Sequence, residues 1–169
     1  MISMGKKDSQ QDEELSESEK MVILLTGRSK ECKPTRLQKL SLLAKAVLEG
    51  RVPTSHGAYL FGGFSDEIAE NSESLRSEGY LTYNTGGGYS LTKDGIELYK
   101  SLTNEESTLS KITEKVIETF EDLSDQELTA ITYRFFPELT SNSIIKKKME
   151  KIGRTLNIET FDLKEIKEE

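Results

Sequence analysis

The chain has one cysteine and one histidine, Cys32 and His56. A lone thiol cannot close an internal disulfide, which fits a reducing, cytoplasmic setting. With one residue of each kind, a His/Cys metal site and a thiol–imidazole pair are both disfavoured. Long apolar runs are missing too. The longest is Met21-Val22-Ile23-Leu24-Leu25, far short of the roughly 20 residues that cross a bilayer. It lacks the small-residue cleavage site of a secretory leader, so no membrane association is expected. Basic charge is in deficit: 23 Lys and Arg stand against 30 Asp and Glu, a formal net charge of −7. That field opposes approach to phosphates, so any nucleic-acid contact must come from a local basic patch. There is no P-loop, because Gly86-Gly87-Gly88 runs into Tyr89 without a Lys-Ser/Thr continuation. The acids follow exposed helix faces and His56 has no readable partner. The reading is a non-enzymatic chain with no metal and no cofactor.

What is present is a succession of well-punctuated helices. Residues 1–15 are polar, with too little apolar surface to offset the entropy of ordering, and read as a disordered tail. A first helix starts near Ser16 or Ser18, with Glu19 at capping-box distance from Ser16, and stops near Gly27. A second begins at Thr35. Leu37, Leu40, Leu43, Ala44, Val47 and Leu48 recur at spacings of three and four, and Gly50 ends it. Residues 51–64 read as a loop pinned to the core by Tyr59, Leu60, Phe61 and Phe64. Ser65 caps a third helix, which Gly79 ends. Tyr80 to Tyr83 and Tyr89 to Leu91 form a hairpin around a glycine-rich tip, and Thr92 caps the helix after it.

Beyond that, a helix over residues 105–123 carries an apolar stripe. Its residues Leu109, Ile112, Val116 and Phe120 are the expected seam of a homodimer, with packing inside the same chain as the alternative. Ser124 caps a further helix that Pro137 terminates. A last helix starts at Ser141 or Ser143 and runs through Ile144, Ile145, Met149 and Ile152 to Gly153.

The fold class implied is mainly α with a small β-hairpin. The carrying residues are Leu37-Gln38-Lys39-Leu40, the Phe64-Ser65 helix start, Leu75 to Leu81, and Tyr89-Ser90-Leu91-Thr92-Lys93-Asp94-Gly95. This set resembles winged helix-turn-helix regulators. Gly79 permits a positive-φ exit from the third helix into the wing. More narrowly, Leu37-Gln38-Lys39-Leu40 together with Phe61-Gly62-Gly63-Phe64-Ser65 resembles the SocA-like (Panacea) antitoxin domain. Gly63 stands where that family favours proline. Leu123 to Leu128, Tyr133 and Phe136-Pro137-Glu138 are similar to the helical extension of such proteins. The division implied is a winged-helix domain over 16–103, a helical extension over 104–153 and a charged tail over 154–169.

Two partners are compatible with this resemblance, DNA and a protein. The third helix is the usual DNA reader. Here it carries Asp66, Glu67, Glu70, Glu73 and Glu78 against Arg76 alone, and the wing from Tyr80 to Leu91 has no Lys or Arg. Basic residues cluster instead before and along the second helix. Arg28, Lys30, Lys33, Arg36 and Lys39 are therefore the expected DNA contacts, with Lys146-Lys147-Lys148, Lys151 and Arg154 as a second cluster. Arg28, Lys30 and Lys33 are sequence neighbours of Cys32 that could lower its thiol pKa if they met it in space. The expected role is a transcription-regulator-like DNA binder. The alternative is an antitoxin-type module that binds a partner protein and not nucleic acid.

Overall fold

The computed structural model describes residues 15–29, 32–157 and 161–164. Apart from Leu15, the expected N-terminal tail lies outside the described residues, as does part of the C-terminal one. Among the described residues the chain is mainly helical, with two short antiparallel hairpins. In chain order the elements are α1 (Glu17–Arg28), α2 (Pro34–Glu49), β1 (Gly57–Tyr59), β2 (Gly62–Phe64), α3 (Asp66–Ser77), β3 (Leu81–Tyr83), β4 (Tyr89–Leu91), α4 (Lys93–Asn104), α5 (Thr108–Phe120), α6 (Asp125–Phe135), a 3-10 turn (Pro137–Thr140) and α7 (Lys146–Thr155).

Helix α1 is the hub. Its start is a full capping box: the Ser16 hydroxyl accepts from the Glu19 N–H and the Glu19 carboxylate accepts from the Ser16 N–H. Met21 to Thr26 are buried in unbroken succession. A helix enclosed on all sides belongs at the centre of a fold, and α2, α3, α4, α5 and β4 all pack on α1. Helix α2 starts on Pro34, whose missing N–H is harmless in a first turn. It ends at Gly50 in the left-handed region, φ 69°.

Ser65 caps α3 through the Ile68 N–H, and Thr92 caps α4 through the Gly95 N–H. Between them β3 and β4 pair with Leu81 opposite Leu91 and Tyr83 opposite Tyr89. Gly79 turns the chain into this hairpin at φ +90°. Cys32, between α1 and α2, adds a bridge to Tyr89: each N–H donates to the other's carbonyl, at 3.4 and 2.8 Å. The hairpin therefore rests on the helices rather than standing alone, as a two-stranded ribbon requires. Gly95 sits so close to its base that a Cβ would lie 2.1 Å from the Tyr80 carbonyl oxygen.

Two expectations about local structure are corrected. Residues 51–64 contain a second hairpin, β1 with β2 (Gly57 opposite Phe64, Tyr59 opposite Gly62). Of the four apolar residues expected to pin it, Tyr59, Leu60 and Phe61 are exposed and Phe64 is half-buried. The last helix begins at Lys146, not at Ser141 or Ser143. The backbone just before it makes other bonds, Ile144 N–H to the Leu60 carbonyl and Ile145 N–H to the Ser143 hydroxyl.

One apolar cluster runs from Met21 through Leu139 and takes in Val116, Phe120, Leu128 and Ile131. Residues 16–103 and 104–153 thus share a core. Leu109, Ile112, Val116 and Phe120 are buried in it, on a helix that packs against α1 and α2. The homodimer seam expected there is corrected: the stripe packs within its own chain.

Candidate interaction surface

Three of the five cations expected to meet DNA, Arg28, Arg36 and Lys39, are engaged within the chain. Arg36 lies at the start of α2, facing the end of α5. Its Nη1 donates to the Leu123 carbonyl at 2.9 Å and to Asp125 Oδ1 at 3.0 Å, and its Nη2 donates to the Phe120 and Glu121 carbonyls, both at 3.3 Å. It thereby ties the start of α2 to backbone carbonyls at and just beyond the end of α5. Arg28 donates to the Ser110 carbonyl and hydroxyl at 3.3 and 3.1 Å and lies over the Tyr99 ring. Lys39 is 2% exposed. Its ammonium donates to the Phe61 carbonyl at 2.8 Å and the Gly63 carbonyl at 3.0 Å. Burial pulls its pKa down to about 8. Arg28, Arg36 and Lys39 are thus corrected from phosphate contacts to internal fasteners. Lys33 is exposed, and Lys30 lies outside the described residues. Beside Lys33 runs a cleft of about 710 Å³, where Arg28, Lys33 and Arg36 face Glu121, Asp122 and Asp125. A phosphate entering it would meet as many carboxylates as cations.

Cys32 is fully buried, and desolvation pushes its thiol up to about 12, against a small opposing effect from a Ser29 hydrogen bond. The lowering that its basic sequence neighbours could have caused is outweighed by burial. Among the described residues, no group of three or more His, Cys, Asp or Glu is placed to hold a metal ion. No helix among them is long and apolar enough to cross a membrane.

Sequence reasoning missed a buried polar network under the start of α3. The Lys45 ammonium donates to the Ser18 hydroxyl at 3.0 Å, the Ser55 hydroxyl at 3.2 Å and Glu67 Oε1 at 3.3 Å. Ser18 also donates to Glu67, and this bond first, then the Lys45 charge, holds the Glu67 carboxyl below its ordinary range. His56 is buried between two hydroxyls, with Ser41 at its Nε2 and Ser55 at its Nδ1, 3.3 and 3.2 Å away. Desolvation, and after it the Lys45 charge, lowers the His56 pKa to about 4. Gln38 donates to the Ser65 carbonyl and accepts from the Ser65 N–H. These bonds fix the direction in which α3 leaves the core. The available signal was Gln38-Lys39 inside an otherwise apolar stripe.

Held this way, α3 turns Ile68, Ser72 and Leu75 inward and exposes Glu70, Glu73, Ser74, Arg76 and Glu78. At its C-terminal end the β3–β4 hairpin adds aromatics. Tyr83 is 42% exposed and meets Tyr89 edge to face, with the Arg76 guanidinium over its ring. The Tyr89 hydroxyl donates to Glu73 Oε2 at 3.4 Å. The face thus carries Glu70, Glu73 and Glu78 against the one cation Arg76, which pairs with Glu73 and lies over the Tyr83 ring; the excess of carboxylates repels phosphates. No protein-family model, no curated protein and no solved structure matches the chain.

Proposed function

We propose that this chain is a winged-helix protein-interaction module that binds a partner protein through α3 and the β3–β4 wing. The order of α1, the Cys32 bridge, α2, α3, the β3–β4 hairpin and α4 supports the winged-helix reading. The observation that carries the partner reading is where the charges lie. The cations that would have met DNA are engaged internally at Arg36 and Lys39. The face that a winged helix ordinarily offers to DNA exposes Glu70, Glu73 and Glu78. The partner's matching chemistry is Lys or Arg side chains set around a site for the Tyr83 ring. The resemblance to SocA-like antitoxins points the same way. No catalytic role is proposed. Fluorescence polarisation on a random-sequence duplex at about 50 mM salt, where phosphate attraction is strong, tests the reading. It predicts no binding; micromolar binding that weakens as salt rises contradicts it.

A second reading, DNA binding, has one observation in its favour: Lys146, Lys147, Lys148, Lys151 and Arg154 are all exposed on α7. If it holds, Lys146→Glu/Lys147→Glu abolishes the salt-sensitive binding in the same titration.

A further inference from the structure

Between α6 and α7 lies a cleft of about 670 Å³ whose lining joins apolar side chains to unneutralised positive charge. Ala130, Tyr133 and Met149 line it and are buried, so they form its floor. They make an apolar cluster of their own, separate from the main core. Met149 is the one buried residue of α7. Arg134, Lys146 and Arg154 line the same cleft and are exposed, so they stand at its rim, against the single carboxylate of Glu150. Among the described residues, none of these three cations has a hydrogen bond or an ion pair. The cleft beside Lys33 differs on both counts: its cations and carboxylates balance, and Arg28 and Arg36 are bonded within the chain. Helix stability does not account for Lys146 either. It stands in the first turn of α7, where a cation opposes the helix dipole and no acid offsets it.

The floor is formed in advance. The Tyr133 and Ser143 hydroxyls share a hydrogen bond, and the Tyr133 ring lies against Gly62, where a Cβ would fall 2.5 Å from ring Cε1. A ring held at both ends does not swing into the cleft and fill it. Met149 supplies an adaptable thioether beside it. The volume lies within the roughly 300–1,000 Å³ of small-molecule sites, which pair an apolar lining with a few placed polar groups. The cations call for an anion, and the floor calls for an apolar body attached to it. A nucleic-acid duplex answers the cations alone, because its backbone has no apolar group to seat on a buried floor. We propose that the α6–α7 cleft binds a small amphipathic anion, a carboxylate or phosphate carried on an apolar body. None of these lining residues lies on α3 or the wing, so the site is additional to the protein-binding face proposed above.

Amide NMR of the full chain, titrated with octanoate and with octyl phosphate, tests the proposal. At least one of the two should saturate with a Kd below about 1 mM, shifting amides of Ala130, Arg134, Met149 and Arg154. Octanol and inorganic phosphate, each lacking one half of the chemistry, should bind at least about tenfold more weakly. Arg134→Gln/Arg154→Gln should weaken the anion by at least about tenfold. Lys147→Gln/Lys148→Gln removes as much charge from exposed positions of α7 outside the lining and should change affinity by less than about twofold. Kd values above about 1 mM for both probes, shifts centred away from α6 and α7, or equal losses from the two variant pairs overturn the proposal. Octanol binding as tightly as octanoate does so too. A random-sequence duplex that shifts the same amides at lower concentration than either probe makes the cleft a nucleic-acid contact and likewise overturns it.

Discussion

Buried polar side chains decide much of what this molecule can do, and His56 is the one whose charge state is most exposed to test. It is folded as a neutral ring between two hydroxyls, with its pKa lowered to about 4 from an ordinary 6.5. An unfolded histidine takes up its proton near 6.5. Between those values the unfolded chain binds more protons, so the stability this site contributes is complete above pH 6.5 and is lost as pH falls towards 4. The full loss is on the order of 3 kcal/mol. Thermal melts of the wild type and His56→Gln at pH 7 and pH 5 check this. The wild-type advantage should narrow at pH 5; an unchanged gap removes the assignment. Lys39 makes the complementary point about the β1–β2 hairpin. Replacing it with Met leaves the Phe61 and Gly63 carbonyls without their donor and should speed amide exchange across residues 57–64, with α4 and α5 unaffected. Exchange rates in that segment equal to wild type would show that Lys39 does not hold it.

At the scale of elements, local chemistry was legible and long-range chemistry was not. Ser16, Ser65, Thr92 and Ser124 each accept from a backbone N–H three residues on, and a cap of that kind is written in neighbouring residues. The β3–β4 hairpin was legible for the same reason, from Gly79 and the glycine-rich tip. The β1–β2 hairpin was not, because Tyr59 and Phe61 are exposed and the usual inference from an apolar loop runs the other way. The roles of the cations were hidden more thoroughly. The partners of Arg36 lie 87 and 89 positions along the chain at Leu123 and Asp125, and no local pattern encodes such a pairing. An arginine awaiting a helix end and one awaiting a phosphate read alike. Gly95 gives a test of element packing. Gly95→Ala drives a methyl into the Tyr80 carbonyl and should cost about 1–3 kcal/mol as the wing base and α4 move apart. Denaturant melts measure it; a loss under half a kcal/mol would mean the two elements are not in close contact.

For the molecule as a whole, the boundary drawn at residue 103 separates a resemblance from its extension but does not separate two folding units. Helix α5 buries Val116 and Phe120 in the same cluster as Met21 and Leu43, and Arg28 and Arg36 from the first half bond into the second. A fragment ending at residue 104 should therefore lack fixed tertiary structure, seen as loss of the near-ultraviolet circular dichroism of its tyrosines; a cooperative melt from that fragment would contradict a shared core. Cations whose sequence setting suits phosphate, Arg36 and Lys39, instead hold the protein together. Thermal stability of Arg36→Gln beside Lys33→Gln tests this assignment. The prediction is a loss of about 2 kcal/mol for Arg36, whose guanidinium bonds three carbonyls and a carboxylate, and a change within about 0.5 kcal/mol for exposed Lys33. Equal, negligible losses at both positions would contradict it.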